Sequence, residues 1–152
     1  MALTTLADTG TEINLANQLV REGRIDEALE AYRSVVPNPE TKHQLDYNYA
    51  VAQYRKGDIQ AARALFTEAA TSPDQILSAT ARYNLGNCFY SEALAAVENQ
   101  DKATAVELLH QAIDNYRGSL SSDPHQVDAR ANIELAVALI KQLQDEQQQQ
   151  QQ

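Results

Sequence analysis

Apolar side chains recur along this chain at intervals of three and four residues, and Val, Ile and Thr never gather in alternating runs. That pattern predicts helices laid against one another, an all-α fold. The pattern also repeats. Aligning VREGRIDEALEAYRSVV (residues 20–36) with YRKGDIQAARALFTEAA (residues 54–70) places Gly23 over Gly57, Ile25 over Ile59, Ala28 over Ala62 and Tyr32 over Phe66, all at an offset of 34 residues. A period of this size marks stacked units of local structure. Each unit reads as an amphipathic helix, a left-handed turn at Gly23 or Gly57, and a second helix. Asp26 or Asp58 lies near the start of that second helix, where a carboxylate meets the positive end of the helix dipole.

Small residues fall where paired helices must approach: Ala16, Ala50 and Gly86 in the first helices, Ala28, Ala62 and Ala112 in the second. Bulky Leu15, Leu19, Tyr49, Leu85 and Phe89, with Tyr32, Phe66 and Tyr116, are expected to fill the space between them. Pro37, Pro39, Pro73 and Pro124 fall where a second helix must end, because proline donates no backbone hydrogen bond and disfavours helix in the residue before it.

With its aromatic, Leu-Gly and aromatic positions, then Ala-x3-aromatic and a closing Pro, the chain resembles the tetratricopeptide repeat family. The resemblance implies a right-handed superhelical array of antiparallel helix pairs acting as a protein-interaction scaffold. It spans residues 1–146, with repeats over about 9–42, 43–77 and 78–124, a capping helix over about 125–146, and a Gln-rich tail at 147–152. Ala16 and Ala50 stand where the motif prefers Gly. ARYNLGNCFY (residues 81–90), with Ala112, Tyr116 and Pro124, carries the best-matching residues.

That third repeat is stretched. Ala16 and Ala28 are 12 positions apart, as are Ala50 and Ala62, yet Gly86 and Ala112 are separated by 26, so 14 extra residues intervene. Leu94 and Val97 continue the stripe of the first helix, and Ala103, Val106 and Leu109 anticipate that of the second, with Asp101 placed to cap it. Shared equally, the extra residues lengthen each helix by about two turns, so the third hairpin should project. The closing helix is expected to present Val127, Ala131, Leu135, Ala138 and Leu139, with Glu134 marking it as a solvating cap. The glutamines after it either extend that helix or begin a linker, which composition does not decide, with a frayed helix end running into a linker as the favoured reading.

Composition narrows the functions. Hydrophobic residues are 43% of the chain, but many are Ala and Trp is absent, which again favours a helical core. The net charge of -9 repels phosphates, so nucleic acid and anionic membrane surfaces are not expected partners. One cysteine, Cys88, excludes an internal disulfide and a multi-Cys zinc site. No apolar run approaches the ~20 residues that span a bilayer, so no direct membrane insertion is expected. The compartment stays open between cytoplasm and periplasm. The abrupt QDEQQQQQQ ending suggests a piece of a longer chain, which could be membrane-associated.

No catalytic, metal or cofactor site is expected. His43, His110 and His125 are scattered, Cys88 has no base near it in sequence, and Asp26–Glu27 and Asp145–Glu146 are neighbours that point to different helix sides. No GxSxG, P-loop, GxGxxG or EF-hand loop is present.

One constellation points to binding. Registering the first helices aligns Asn14, Asn48, Asn84 and Asn132, preceded by Ile13, Tyr47, Tyr83 and Ala131. In the tetratricopeptide family these positions line the concave groove, joined by Asn17, Val51 and Asn87 and then by Val20, Tyr54 and Tyr90. Asn amides can both donate to and accept from an extended peptide backbone, and Tyr adds apolar surface with a polar tip. An alternative role for the same residues is packing between repeats. Some family members grip a terminal carboxylate with two Asn and three cations. Asn17 and Asn48 match, but Ile13, Thr80 and Asn84 replace the cations, while Arg21 and Arg55, at equivalent places near the helix ends, could meet an acidic ligand. The segment DPHQVDARANIELAVALIKQLQDEQQQQQQ is similar to part of the bacterial aerotolerance (Bat) proteins, implying a role in a bacterial envelope-associated assembly. The expected partner is a protein or peptide. The alternative is a structural module whose long hairpin or cap mediates self-association.

Overall fold

The computed structural model describes residues 8–150. These form seven helices and no strand: α1 (Thr9–Arg21), α2 (Ile25–Ser34), α3 (Lys42–Lys56), α4 (Ile59–Ala69), α5 (Gln75–Glu98), α6 (Lys102–Ser122) and α7 (Val127–Gln150). The all-α helical-hairpin architecture is the one the pattern predicts. The helices divide into two compact units, with the boundary between Ala69 and Ala70.

The first unit holds the hairpins α1–α2 and α3–α4. Gly23 and Gly57 turn the chain at φ 76° and 89°, a left-handed conformation in which a Cβ is strained. Asp58 then caps α4, its Oδ1 accepting from the Ala61 amide at 3.0 Å. Lys56 pairs with Asp26 at 2.6 Å. Between the helices, Ala16, Ala28, Ala50 and Ala62 are all fully buried, so the backbones approach closely and Tyr32 and Phe66 fill what remains. Tyr32 stacks on Tyr49 with ring centroids 5.7 Å apart. Each helix pair ends before a proline: Val35 turns extended ahead of Pro37, and α4 stops at Ala69, short of Pro73.

The second unit holds α5, α6 and α7, and its first two helices run to 24 and 21 residues against 10 to 15 in the first unit. The extra length is distributed by a simple rule. Gln100 makes the α5–α6 turn at φ 61°, where Gly23 and Gly57 stand in the other hairpins. Counting from it, Ala93 lies seven residues before, Ala105 five after and Leu109 nine after, the same spacing as Ala50, Ala62 and Phe66 around Gly57. All three are fully buried. Gly86, Ala112 and Tyr116 then repeat the set one heptad further from the turn. Seven residues is close to two helical turns, so each helix gains a heptad on the same face and the antiparallel pairing continues unbroken. Asp101 caps α6 by accepting from the Thr104 amide at 3.1 Å, as expected.

Several expectations are corrected. Leu15 is 59% exposed: it lies on α1 away from the buried face of Ile13, Ala16 and Val20, where no described helix covers it. Within the lengthened hairpin, Leu94 and Ala103 are exposed, and Ala93, Ala96 and Ala105 supply the contact. On α7 the expected stripe, Leu139 excepted, is turned outward. Val127, Ala131, Leu135 and Ala138 are exposed, while Ala129, Ala136, Ile140 and Leu143 are buried with Ile133 and Leu139 beside them. This helix has apolar residues on two faces, and the buried one follows the a/d-like spacing that meets α6. Of the two alternatives for the glutamines, helix continues through Gln150, and residues 151–152 lie outside the described residues. Lys102 bonds Glu146 at 2.8 Å, tying the start of α6 to α7, and that bond, with one from Gln142, holds the Glu146 carboxyl below its ordinary range.

Candidate functional site

In the first unit, α1 and α3 bring Asn14, Asn17, Asn48, Tyr47 and Arg21 onto one face. Two open hollows lie there. One, of about 310 Å³, is lined by Asn17, Arg21, Tyr32, Tyr47, Asn48 and Val51. The other, of about 440 Å³, is lined by Asn14, Asn17, Glu40, Gln44 and Asn48, among others. Asn17 and Asn48 line both, so the hollows follow one another along a single polar track.

The amides on this track are partly committed. Tyr32, almost fully buried, donates its hydroxyl to Asn17 Oδ1 at 2.5 Å, which uses only the acceptor end of that amide. Gln44 Nε2 donates to Asn48 Oδ1 at 3.0 Å, one helical turn away. Tyr47 sets its ring edge against Phe66, centroids 5.7 Å apart, so its position is fixed from behind by the core. Arg55 reaches from α3 to the α1 C-terminus and donates to the Val20 carbonyl at 3.4 Å. Burial pushes the Tyr32 phenol up to about 12, and the charges of Arg21 and Arg55 partly offset the effect. Both cations are therefore close to that hydroxyl. Tyr54, partly buried on α3, does not line either hollow.

In the second unit, Tyr83, Asn87 and Asn132 come together around Tyr116. Tyr116 donates to Asn87 Oδ1 at 2.9 Å, and Asn132 Nδ2 reaches the same oxygen at 3.2 Å and the Tyr83 hydroxyl at 3.5 Å. Tyr83 packs on Tyr116 at 5.9 Å, and Tyr90 packs against the cores on both sides of it. These side chains hold α5, α6 and α7 together. Asn84, half-buried, donates to the Thr80 carbonyl of its own helix at 3.1 Å.

Sequence reasoning missed Gln44, Glu40 and Thr41, which line the second hollow at the start of α3. Gln44 had a signal: it precedes Asn48 by four residues on the same helix face. A further hollow of the first unit, about 860 Å³, lies between α1 and α2 and is lined by Leu15, Leu19 and Leu29 with charged residues beside them.

The tetratricopeptide repeat family model matches residues 13–76 and again residues 90–147, more than half of the chain. The chain belongs to the tetratricopeptide repeat family. Its second match begins at Tyr90, ten residues before Gln100, just as the first begins at Ile13, ten residues before Gly23. The family model and the buried heptads therefore agree on the register of the long hairpin. No curated protein matches the chain. Tetratricopeptide repeats are generally protein-interaction modules. Among the described residues, no three His, Cys, Asp or Glu groups gather as a metal would require, and no helix is long and apolar enough to cross a membrane.

Proposed function

We propose that this tetratricopeptide protein binds an extended peptide segment of a protein partner along the polar track of its first two repeats. The observation that carries the reading is the sharing of Asn17 and Asn48 by two successive hollows. With their oxygens accepting from Tyr32 and Gln44, the Asn17 and Asn48 amides turn their N–H groups toward the carbonyls of an extended strand. The tyrosines add flat apolar area at low entropic cost. The Bat-like glutamine-rich C-terminal segment supports placing the partner in a bacterial envelope-associated assembly. The test is a pull-down with the Asn48→Ala variant. Loss of the partner with an unchanged thermal melt supports the groove; unchanged capture contradicts it.

A second reading is favoured by the outward face of α7, where Val127, Leu135 and Val137 are 73%, 58% and 50% exposed. On this reading the closing helix docks on a second copy or within a larger chain. Sedimentation over a range of concentrations separates the two: a dimer that dissociates on dilution and is lost in Leu135→Ser favours the second.

A further inference from the structure

The first unit carries two cations that form no ion pair with its own carboxylates. Arg24, Arg33, Lys42 and Lys56 each hold a carboxylate at 2.5–2.7 Å. Among the described residues Arg21 and Arg55 hold none, although the chain carries 21 acidic against 12 basic residues. Arg55 instead donates to the Val20 carbonyl, which parks its charge beside Arg21 at one end of the hollow lined by Asn17 and Asn48. The nearest carboxylate, Glu22, feels the charge of Arg21 but is bonded to Gln18 and Arg24, so neither arginine holds a carboxylate of its own and an added anion would be favoured beside them. The opposite end of the track carries Glu40. In the turn-based register of the long hairpin, Glu98 stands where Arg21 and Arg55 stand in the first two, so the cations are not demanded by the repeat framework.

We infer that the segment bound by this track is acidic, with side-chain carboxylates of an extended peptide paired to Arg21 and Arg55 while Asn17 and Asn48 hold its backbone. This rests on the groove reading above and specifies its ligand. These cations are not at the positions with which some family members grip a chain terminus, which Ile13, Thr80 and Asn84 occupy here. An internal acidic stretch is therefore the ligand, and the polarity of the track orients it with its acidic residues toward Arg21 and away from Glu40. Guanidinium forks pair with carboxylates in two-point geometry, giving directional recognition that an ammonium does not reproduce.

The experiment is a synthetic array of random-sequence peptides probed with the full chain and with Arg21→Gln/Arg55→Gln. Both arginines are exposed, so the variant is expected to keep the wild-type melt. Peptides that bind the wild type should be enriched in Asp and Glu. Changing those residues to Asn and Gln should weaken binding on the order of ten-fold, and the double variant should lose a similar factor and become indifferent to the change. Amidating the peptide C-terminus should have no effect. Bound peptides without an acidic preference, still lost in Asn48→Ala, would overturn this inference and leave the groove reading standing. Peptides that need a free terminus would also overturn it. No peptide bound by the wild type would overturn the groove reading and this inference with it.

Discussion

The Tyr32 hydroxyl donates to Asn17 Oδ1 across the first hairpin. Tyr116 makes the same bond to Asn87 in the long hairpin, at 2.9 Å. In the hairpin between them in sequence, Val51 and Phe66 stand at the equivalent positions, and neither has a polar side-chain atom. The pair is polar on both sides or apolar on both sides. A buried hydroxyl needs an acceptor, and without the hydroxyl the acceptor can be dispensed with.

This predicts a strong coupling. Asn17→Val alone leaves the Tyr32 hydroxyl unpartnered and should cost about 1–3 kcal/mol. Adding Tyr32→Phe should recover most of that loss, since the pair then matches Val51 and Phe66. Urea denaturation of the two single variants and the double variant measures it; additive losses would contradict the account.

The same phenol sets a pH dependence. Burial raises the Tyr32 pKa to about 12 in the folded chain, above the ~10 of an exposed tyrosine. The unfolded chain therefore releases this proton first as pH rises. The stabilisation is complete below pH ~10 and is lost as pH climbs toward about 12. Denaturation midpoints measured from pH 9 to 12 should fall less steeply in Tyr32→Phe than in the wild type.

Two helical glycines should respond in opposite ways to alanine. A Cβ at Gly86 would meet the buried Tyr116 ring at 2.5 Å, and that ring has no room to retreat. A Cβ at Gly118 would meet the Arg82 side chain at 3.0 Å, and that long side chain can swing aside. Gly86→Ala should therefore destabilise by about 1–3 kcal/mol, whereas Gly118→Ala should be neutral or gain up to about 1 kcal/mol from helix propensity. Paired thermal melts decide it.

Gln100 holds a left-handed turn that glycine holds in the other hairpins, at φ 61°. A residue with a Cβ pays roughly 1 kcal/mol there. Gln100→Gly should raise stability by about 1 kcal/mol less the entropy of a freer unfolded chain, and the same change at exposed Gln60 should not.

The architecture was legible because its determinants are local and periodic. Ala16, Ala28, Ala50 and Ala62 declare the close helix contacts at a fixed spacing, and the division of the 14 extra residues followed from the need to keep two helices paired. The face of α7 was not legible, because Ala, Val, Ile and Leu occur on both of its sides and only contact with α6 selects Ala129, Ala136, Ile140 and Leu143. Leu15 was misread for a related reason: the period marks it as a packing position, but packing needs a neighbour that the described helices do not provide. In the site, the row of asparagines was visible, but not that Asn17 and Asn87 accept from tyrosines 15 and 29 residues away. That Arg21 and Arg55 form no ion pair emerged only beside the pairs held by Arg24, Arg33, Lys42 and Lys56.

The account divides the asparagines between two tasks, and one paired measurement tests that division. Take a peptide selected on the wild-type chain, and record both its affinity and the thermal melt for Asn48→Ala and for Asn87→Ala. The account predicts that Asn48→Ala weakens binding on the order of ten-fold with an unchanged melt, while Asn87→Ala lowers the melt by several degrees as Tyr116 and Asn132 lose their shared acceptor. Unchanged affinity in Asn48→Ala, with its melt intact, would contradict it.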